Sequence, residues 1–212
     1  MKRGRKKAQN PATARRILAA AENHFAAQGL AGARTDEIAM AARANKAMLY
    51  YYFGDKEHLH RAVLENLFRQ LRTLLDDVSL SQGTPRENLL RLMDRYYDFL
   101  ASHPNYPRLV QREAIESSHA FERVFREFFQ PFQEQLRHAI ESGVKSGDFR
   151  RVDARHAVFS LIGMTNFYFI AAGRFGHLFG DDPLAPRALA ERKRALMDLL
   201  MHGLLASKAR SR

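Results

Sequence analysis

Glycine and proline, the residues that interrupt helices, are sparse in this chain (12 and 7 of 212 residues). They fall between long segments in which apolar residues recur every three or four positions. No useful length alternates apolar and polar side chains as a half-buried strand does. The periodicity therefore predicts an all-α fold of about nine helices. Asn10 and Pro11 open the first helix as N-cap and N1, and Gly29 closes it, with Ile17, Leu18, Ala21 and Phe25 on one stripe. Thr35 and Asn45 are expected to cap two short helices, the first with Asp36 and Glu37 in its opening turn. Asp55 is expected to cap a long one bearing Leu59, Val63, Leu67, Leu71 and Leu74 on one side. After the break "SLSQGTPRE", further helices are predicted around Leu89–Leu100, Leu109–Ser118, Phe121–Ser146, Ala154–Phe175 and Pro186–Ala206. Pro131 is expected to kink the long one or mark a boundary inside it. There is no internal repeat. Residues 1–60 form one expected domain and 61–212 a larger helical body, joined through a connector helix.

Charge is unevenly spread over that frame. The net charge is +11, and residues 1–60 hold 11 Lys/Arg against 5 Asp/Glu. Seven cations and no acid occupy the first sixteen residues (Lys2, Arg3, Arg5, Lys6, Lys7, Arg15, Arg16). Such an arm suits a phosphate backbone, whose neutralisation releases counterions, and equally suits a solubilising tail. No apolar run is expected to reach the roughly 18–20 residues that cross a bilayer, and the basic start lacks the pattern of a signal peptide. The absence of cysteine excludes a disulfide framework and a thiolate zinc site, and fits a reducing cytoplasm.

Two short helices joined by a tight turn, the second rich in polar and aromatic side chains, form the helix-turn-helix pattern. The segment "TDEIAMAARANKAMLYYYF" fits it. Ile38, Ala39 and Ala42 supply small apolar packing, Ala44 sits in the turn, and Leu49 and Phe53 face inward. An ordinary helical hairpin is the alternative. With Leu49 and Phe53 inward, a rotation of about 100° per residue points Tyr51 outward on the side of Ala47, with Tyr50 and Tyr52 at its flanks. Tyr51, Lys46 and Met48 are therefore where sequence preference is expected to reside.

The stretch "TDEIAMAARANKAMLYYYFGDKEHL" resembles the N-terminal domain of the TetR family of bacterial transcriptional repressors. The match falls at Thr35, Ile38, Ala39, Lys46, Leu49, Tyr50, Tyr52, Phe53, Lys56 and Leu59, and upstream "ILAAAENHFAAQGLAGART" matches the family's first helix. Arg43 and Ala44 stand where the family usually has Gly and Val, and Asn45 where it has Ser; a non-glycine there implies a less relaxed turn. The resemblance implies that Thr35 contacts a phosphate and that Asn45, Lys46 and Ala47 begin the recognition helix near base edges. It also implies that Tyr50 and Tyr52 brace on the DNA backbone and that Lys56 pairs with a phosphate. Arg34 and Arg43 are further backbone candidates by charge and position.

Catalytic patterns are lacking. There is no glycine-rich phosphate loop and no His-Glu-x-x-His; His58 and His60 lie on different faces of one helix, so neither an enzyme nor a metal site is expected. The body is rich in aromatic residues at helical spacing, which suits a core. The family also implies a small-molecule pocket there, and a wide aromatic lining would suit an apolar or aromatic effector. Tyr96, Arg112, Phe128, Phe132, Phe159 and Asn166 are its candidate lining, with Glu113 and His156 as further polar candidates. No cofactor is expected besides that effector. The family's subunits pair through their last helices, so Phe159, Ile162, Phe167, Leu196, Leu199, Leu200 and Leu204 are candidate homodimer contacts, a monomeric core being the alternative. The expected function is a dimeric regulator, most simply a repressor, that binds a palindromic operator on double-stranded DNA and is released by its ligand. The competing expectation is a helical DNA- or protein-interaction protein that senses no ligand.

Overall fold

A computed structural model describes residues 11–76, 83–116, 119–178 and 182–205; the basic arm up to Lys7, with Asn10, Ser118 and Ala206, lies outside them, while Arg15 and Arg16 belong to the first helix. The helices are α1 (Pro11–Gly32), α2 (Thr35–Ala41), α3 (Lys46–Phe53), α4 (Lys56–Asp76), α5 (Pro85–Ser102), α6 (Tyr106–Glu116) and α7 (His119–Val124). A π-helical segment (Phe125–Phe129), α8 (Gln130–Ser146), α9 (Ala154–Phe175) with a short 3-10 turn (Gly176–Leu178), and α10 (Pro186–Leu204) complete them. Because α7, the π segment and α8 run on without a break, the described residues hold nine separate helices, and the all-α expectation is met. Their β pairing is limited to one isolated bridge between Phe149 and Leu205. Two compact units, Met1–Asn66 and Leu67–Arg212, meet inside α4, the connector helix within which the expected 60/61 boundary also falls.

In the first unit, α1 leaves helical geometry at Gly29 (φ 73, ψ 176), as the glycine there predicted. Ile17, Ala21 and Phe25 are buried with Ile38, Ala39, Ala42 and Leu49. The many alanines let α1 and α2 pack closely, and the Phe25 ring meets the edge of buried His60 at 4.7 Å. Asn45 and Asp55 cap as expected: Met48 N donates to Asn45 Oδ1 at 2.8 Å, and His58 N to Asp55 Oδ1 at 2.7 Å. The His58 ring nitrogen Nδ1 also lies 2.6 Å from Asp55 Oδ1, and the backbone bond first and this ring contact second lower the pKa of Asp55. Thr35 does not cap. The chain enters α2 through an extended Arg34 (φ −105) with no side-chain cap, so Thr35 is already the first helical residue. On α4 the buried residue of the last turn is Leu75, while Leu74 is only half-buried.

In the second unit, a reciprocal capping box starts α5: Glu87 N donates to Thr84 Oγ1 and Thr84 N to Glu87 Oε2. Its buried face (Leu89, Leu92, Met93, Tyr96, Tyr97, Phe99, Leu100) packs against α8, α9 and α10. The π segment resolves the question set by Pro131. A proline inside an α-helix clashes with the carbonyl four residues earlier and donates no N–H. Here the preceding turn widens, and Gln130 N bonds to Phe125 O instead.

Ala154–Leu178 is 25 residues long and holds an 18-residue window of mean hydropathy 1.2, which by length and composition alone could cross a membrane, although Arg155, His156, Asn166 and Arg174 interrupt its apolar run. Val158, Leu161, Thr165, Tyr168 and Phe169 put one face of this helix in the core, while Phe159 and Phe167 lie outside it, so apolar residues surround the helix.

The loop after α8 closes the end of α10. Phe149 N bonds to Gly143 O, Arg150 N to Leu204 O at 2.9 Å, and Arg150 Nε to Gly203 O at 2.6 Å, so the last carbonyls of α10 gain remote donors. Gly143 permits this, since a Cβ there would sit 2.1 Å from the Phe149 ring. Gly143→Ala is expected to cost ~2–3 kcal/mol through overpacking. In thermal unfolding followed by circular dichroism this appears as a Tm lower by ~5–10 °C.

Candidate nucleic-acid interface

The turn between α2 and α3 sets how the second short helix is presented. Ala42 ends α2, and the next residue, Arg43, adopts φ 50, a positive value that no other non-glycine among the described residues takes. Left-handed backbone costs an L-residue about 1–2 kcal/mol, so the departure from glycine noted in the sequence carries strain. The turn is held by Arg43 N to Met40 O (3.0 Å), Ala44 N to Ala39 O (2.9 Å) and the Asn45 cap.

From that turn α3 projects one buried residue, Leu49. Around it Tyr51 is 61% exposed and Tyr50 43% exposed, Tyr52 and Phe53 are half-buried, and Asn45, Lys46 and Ala47 are exposed. Tyr51 points out as expected, its ring meeting that of Tyr52 edge-on at 5.2 Å, but of the two residues expected inward only Leu49 is buried. The Tyr50 hydroxyl lies 3.5 Å from Thr35 Oγ1, which brings two of the expected backbone contacts together across α2 and α3. Lys46 Nζ sits 2.9 and 3.1 Å from the two carboxylate oxygens of Asp36, and that hydrogen bond raises its pKa. Lys56 Nζ donates to Ala31 O and Ala33 O, each at 3.3 Å, so it also ties the end of α1 to the start of α4. Arg34 and Arg43 are exposed.

In the second unit, Tyr96, Phe132 and Asn166 meet. Tyr96 Oη donates to Asn166 Oδ1 at 3.0 Å, Asn166 Nδ2 donates to Ile162 O, and the Tyr96 and Phe132 rings lie 4.8 Å apart. Phe128 and Arg112 are half-buried, and Glu113 is buried. Phe159 is 79% exposed and does not line this interior, which corrects its place among the effector contacts. His156 lies instead in a groove of about 520 Å³ between α9 and α10, beside Leu199, Leu200 and Leu204. The expected dimer set divides. Phe159, Phe167 and Leu199 are exposed and Ile162 half-buried, but Leu196, Leu200 and Leu204 are buried within the protomer. One face of α10 closes its own core, so those three leucines are corrected to core residues.

Two features escaped the sequence reading. Arg16 Nε donates to Ala42 O at 3.0 Å across 26 residues, a link no local pattern encodes. Tyr106 is buried against Phe68 and Phe99, its hydroxyl makes no hydrogen bond among the described residues, and burial raises its pKa well above the usual value. It precedes a proline in a short break, where an aromatic residue carries no pattern of its own.

Strain at the turn predicts stability. Arg43→Gly is expected to stay within about 1 kcal/mol of the parent, because relieved strain offsets the entropy a glycine adds to the unfolded chain. Arg43→Val, β-branched at positive φ, is expected to lose more than about 1 kcal/mol, and Asn45→Ala about 1 kcal/mol for its cap. Urea unfolding measures all three.

Comparison with known proteins agrees with this geometry. Residues 17–63 match the family described as bacterial regulatory proteins, tetR family, and residues 85–200 match the tetracyclin repressor-like C-terminal domain. The HTH-type transcriptional repressor NicS of Pseudomonas putida is 28% identical over 191 residues, covering 89% of this chain and 90% of that protein. The HTH-type transcriptional repressor SCO4008 of Streptomyces coelicolor is 40% identical over 105 residues, about half of each chain (50% and 51%). Among solved structures, the ketosteroid transcriptional regulator KstR2 of Mycobacterium tuberculosis superposes with a TM-score of 0.78 at 19% identity, covering 94% of this chain and 98% of that one, a likeness of fold. With a tetR-family helix-turn-helix followed by its matching C-terminal domain, the chain belongs to the TetR family and is a DNA-binding transcriptional regulator, not an enzyme.

Proposed function

We propose that this regulator is a ligand-released repressor that acts in the cytoplasm as a homodimer on a palindromic operator. The observation that carries the DNA reading is the face of α3: one buried residue, Leu49, anchors a helix that exposes Lys46, Ala47, Tyr50 and Tyr51 together. Lys46, Tyr51 and the neighbouring Met48 would meet base edges in the major groove. Thr35, Tyr50, Tyr52, Lys56 and Arg34 would meet phosphates, which fix register without reading sequence. The exposed rings of Phe159 and Phe167 and the side chain of Leu199, on α9 and α10, support pairing of two copies through those helices.

The effector reading rests on the aromatic interior. Phe68, Phe99, Phe121, Phe129 and Phe132 form a chain of ring contacts with Tyr96 and Tyr106. The buried Tyr106 hydroxyl is a donor still to be matched. An effector here is apolar or aromatic, with one acceptor for that phenol. Its binding would release DNA only as far as it prefers the dimer state that fits the operator poorly.

Selection of duplexes from a random library by the purified chain, followed by anisotropy titration, tests this. A palindromic sequence is expected, and Tyr51→Ala is expected to change its base preference. Lys56→Ala should weaken binding to all duplexes and lower the salt slope by about one. Aromatic probes that never release DNA from the wild-type chain would favour the ligand-independent reading. In the absence of ligand, Tyr106→Phe should leave stability unchanged or raise it, while Tyr96→Phe should cost about 1 kcal/mol.

A further inference from the structure

Arg16 is one of the seven cations crowded into the first sixteen residues, and its charge alone would assign it to the DNA backbone. Arg16 is exposed, yet its hydrogen bonds run to the protein itself. Nε donates to Ala42 O at 3.0 Å, and Nη2 donates to the hydroxyl of buried Thr13 at 3.2 Å. Ala42 is the residue that ends α2, and its carbonyl belongs to the peptide that leads into Arg43 at φ 50. The N–H of that same peptide donates to Met40 O. Both polar groups of the Ala42–Arg43 peptide are therefore held, the carbonyl by α1 and the N–H by α2. A peptide plane fixed at both edges restricts the two dihedrals that flank it. Those dihedrals set the direction in which the chain leaves α2 for α3.

We infer that Arg16 is a positioning residue for sequence reading: it sets the angle of α3 through the Ala42 carbonyl and neutralises no phosphate. The inference rests on the DNA-binding reading above. The guanidinium suits the task because one planar group addresses two acceptors in fixed directions, Ala42 O with Nε and Thr13 Oγ1 with Nη2. A lysine would keep the charge and lose the fork. Lys56 holds other carbonyls, Ala31 O and Ala33 O ahead of α2, and leaves the Ala42–Arg43 peptide alone.

Anisotropy titrations of the selected operator and of an unrelated duplex, between about 50 and 200 mM salt, test the role. The full chain is compared with Arg16→Ala, Arg16→Lys and Lys56→Ala. Arg16→Ala and Arg16→Lys should each weaken operator binding by about tenfold or more, the loss of one good base contact. Binding to the unrelated duplex and the salt slope should stay as in the wild type. Lys56→Ala should weaken both duplexes alike and lower the slope by about one. A slope lowered by about one in Arg16→Ala would make Arg16 a phosphate contact and overturn the inference. So would wild-type discrimination in Arg16→Lys, or an equal loss on both duplexes, which marks a smaller folded fraction. If Arg16→Ala does not fold, Arg16→Lys and Thr13→Val, which removes the second acceptor, decide by the same criteria. A wild-type chain that prefers no duplex would sink the regulator reading itself, an outcome distinct from any of these.

Discussion

A helix of seven or eight residues has about twice as many orphan end groups as internal hydrogen bonds, because four N–H groups and four carbonyls have no partner within it. Such a helix is not stable alone. Helices α2 and α3 are of that length, and the DNA-reading part of this protein depends on what satisfies their ends. The solutions come from several directions. Asn45 takes an amide of α3, Gly54 N closes its other end onto Tyr50 O, and Asp55 caps the helix that follows. Arg16 supplies the carbonyl partner at the end of α2, and Lys56 does so for the segment entering it. Basic residues in a DNA-binding head thus have two possible partners, the phosphates of the ligand and the carbonyls of the protein, and geometry decides between them.

That distinction marks how far the sequence could be read. Local chemistry was legible: the Asn45 and Asp55 caps, the break at Gly29, the inward Leu49 and the outward Tyr51 all follow from spacing within one or two turns. Even the strain at Arg43 was visible, as a non-glycine in a turn where the family favours glycine. Contacts across long separations were not legible. Arg16 and Ala42 lie 26 residues apart, Tyr96 and Asn166 lie 70 apart, and nothing in either segment names its partner. The expected dimer stripe failed for a related reason. Periodicity identifies an apolar face but not what covers it, and on α10 Leu196, Leu200 and Leu204 turn to the protomer's own core while Leu199 turns away.

The body shows the same economy in its polar groups. Buried phenols mostly find acceptors: Tyr97 bonds to Leu189 O, Tyr168 to Pro183 O and Tyr96 to Asn166. An unpaired buried hydroxyl costs about 1–3 kcal/mol, so Tyr106 stands out among rings that otherwise make ordinary edge and tilted contacts. A core assembled from aromatic rings with a few directed hydroxyls can discriminate by shape and by a single hydrogen bond.

The π segment ahead of Pro131 has a mechanical consequence. It holds one more residue per turn than its neighbours, so the apolar repeat of α7 and that of α8 are out of phase by one position. In a helix without proline such an extra residue could migrate, letting the two halves rotate against each other at little cost. Pro131 forbids the tighter turn behind it and pins the offset in place. The faces that α7 and α8 present are therefore offset from those of one continuous α-helix, and the proline fixes where along the chain that offset falls.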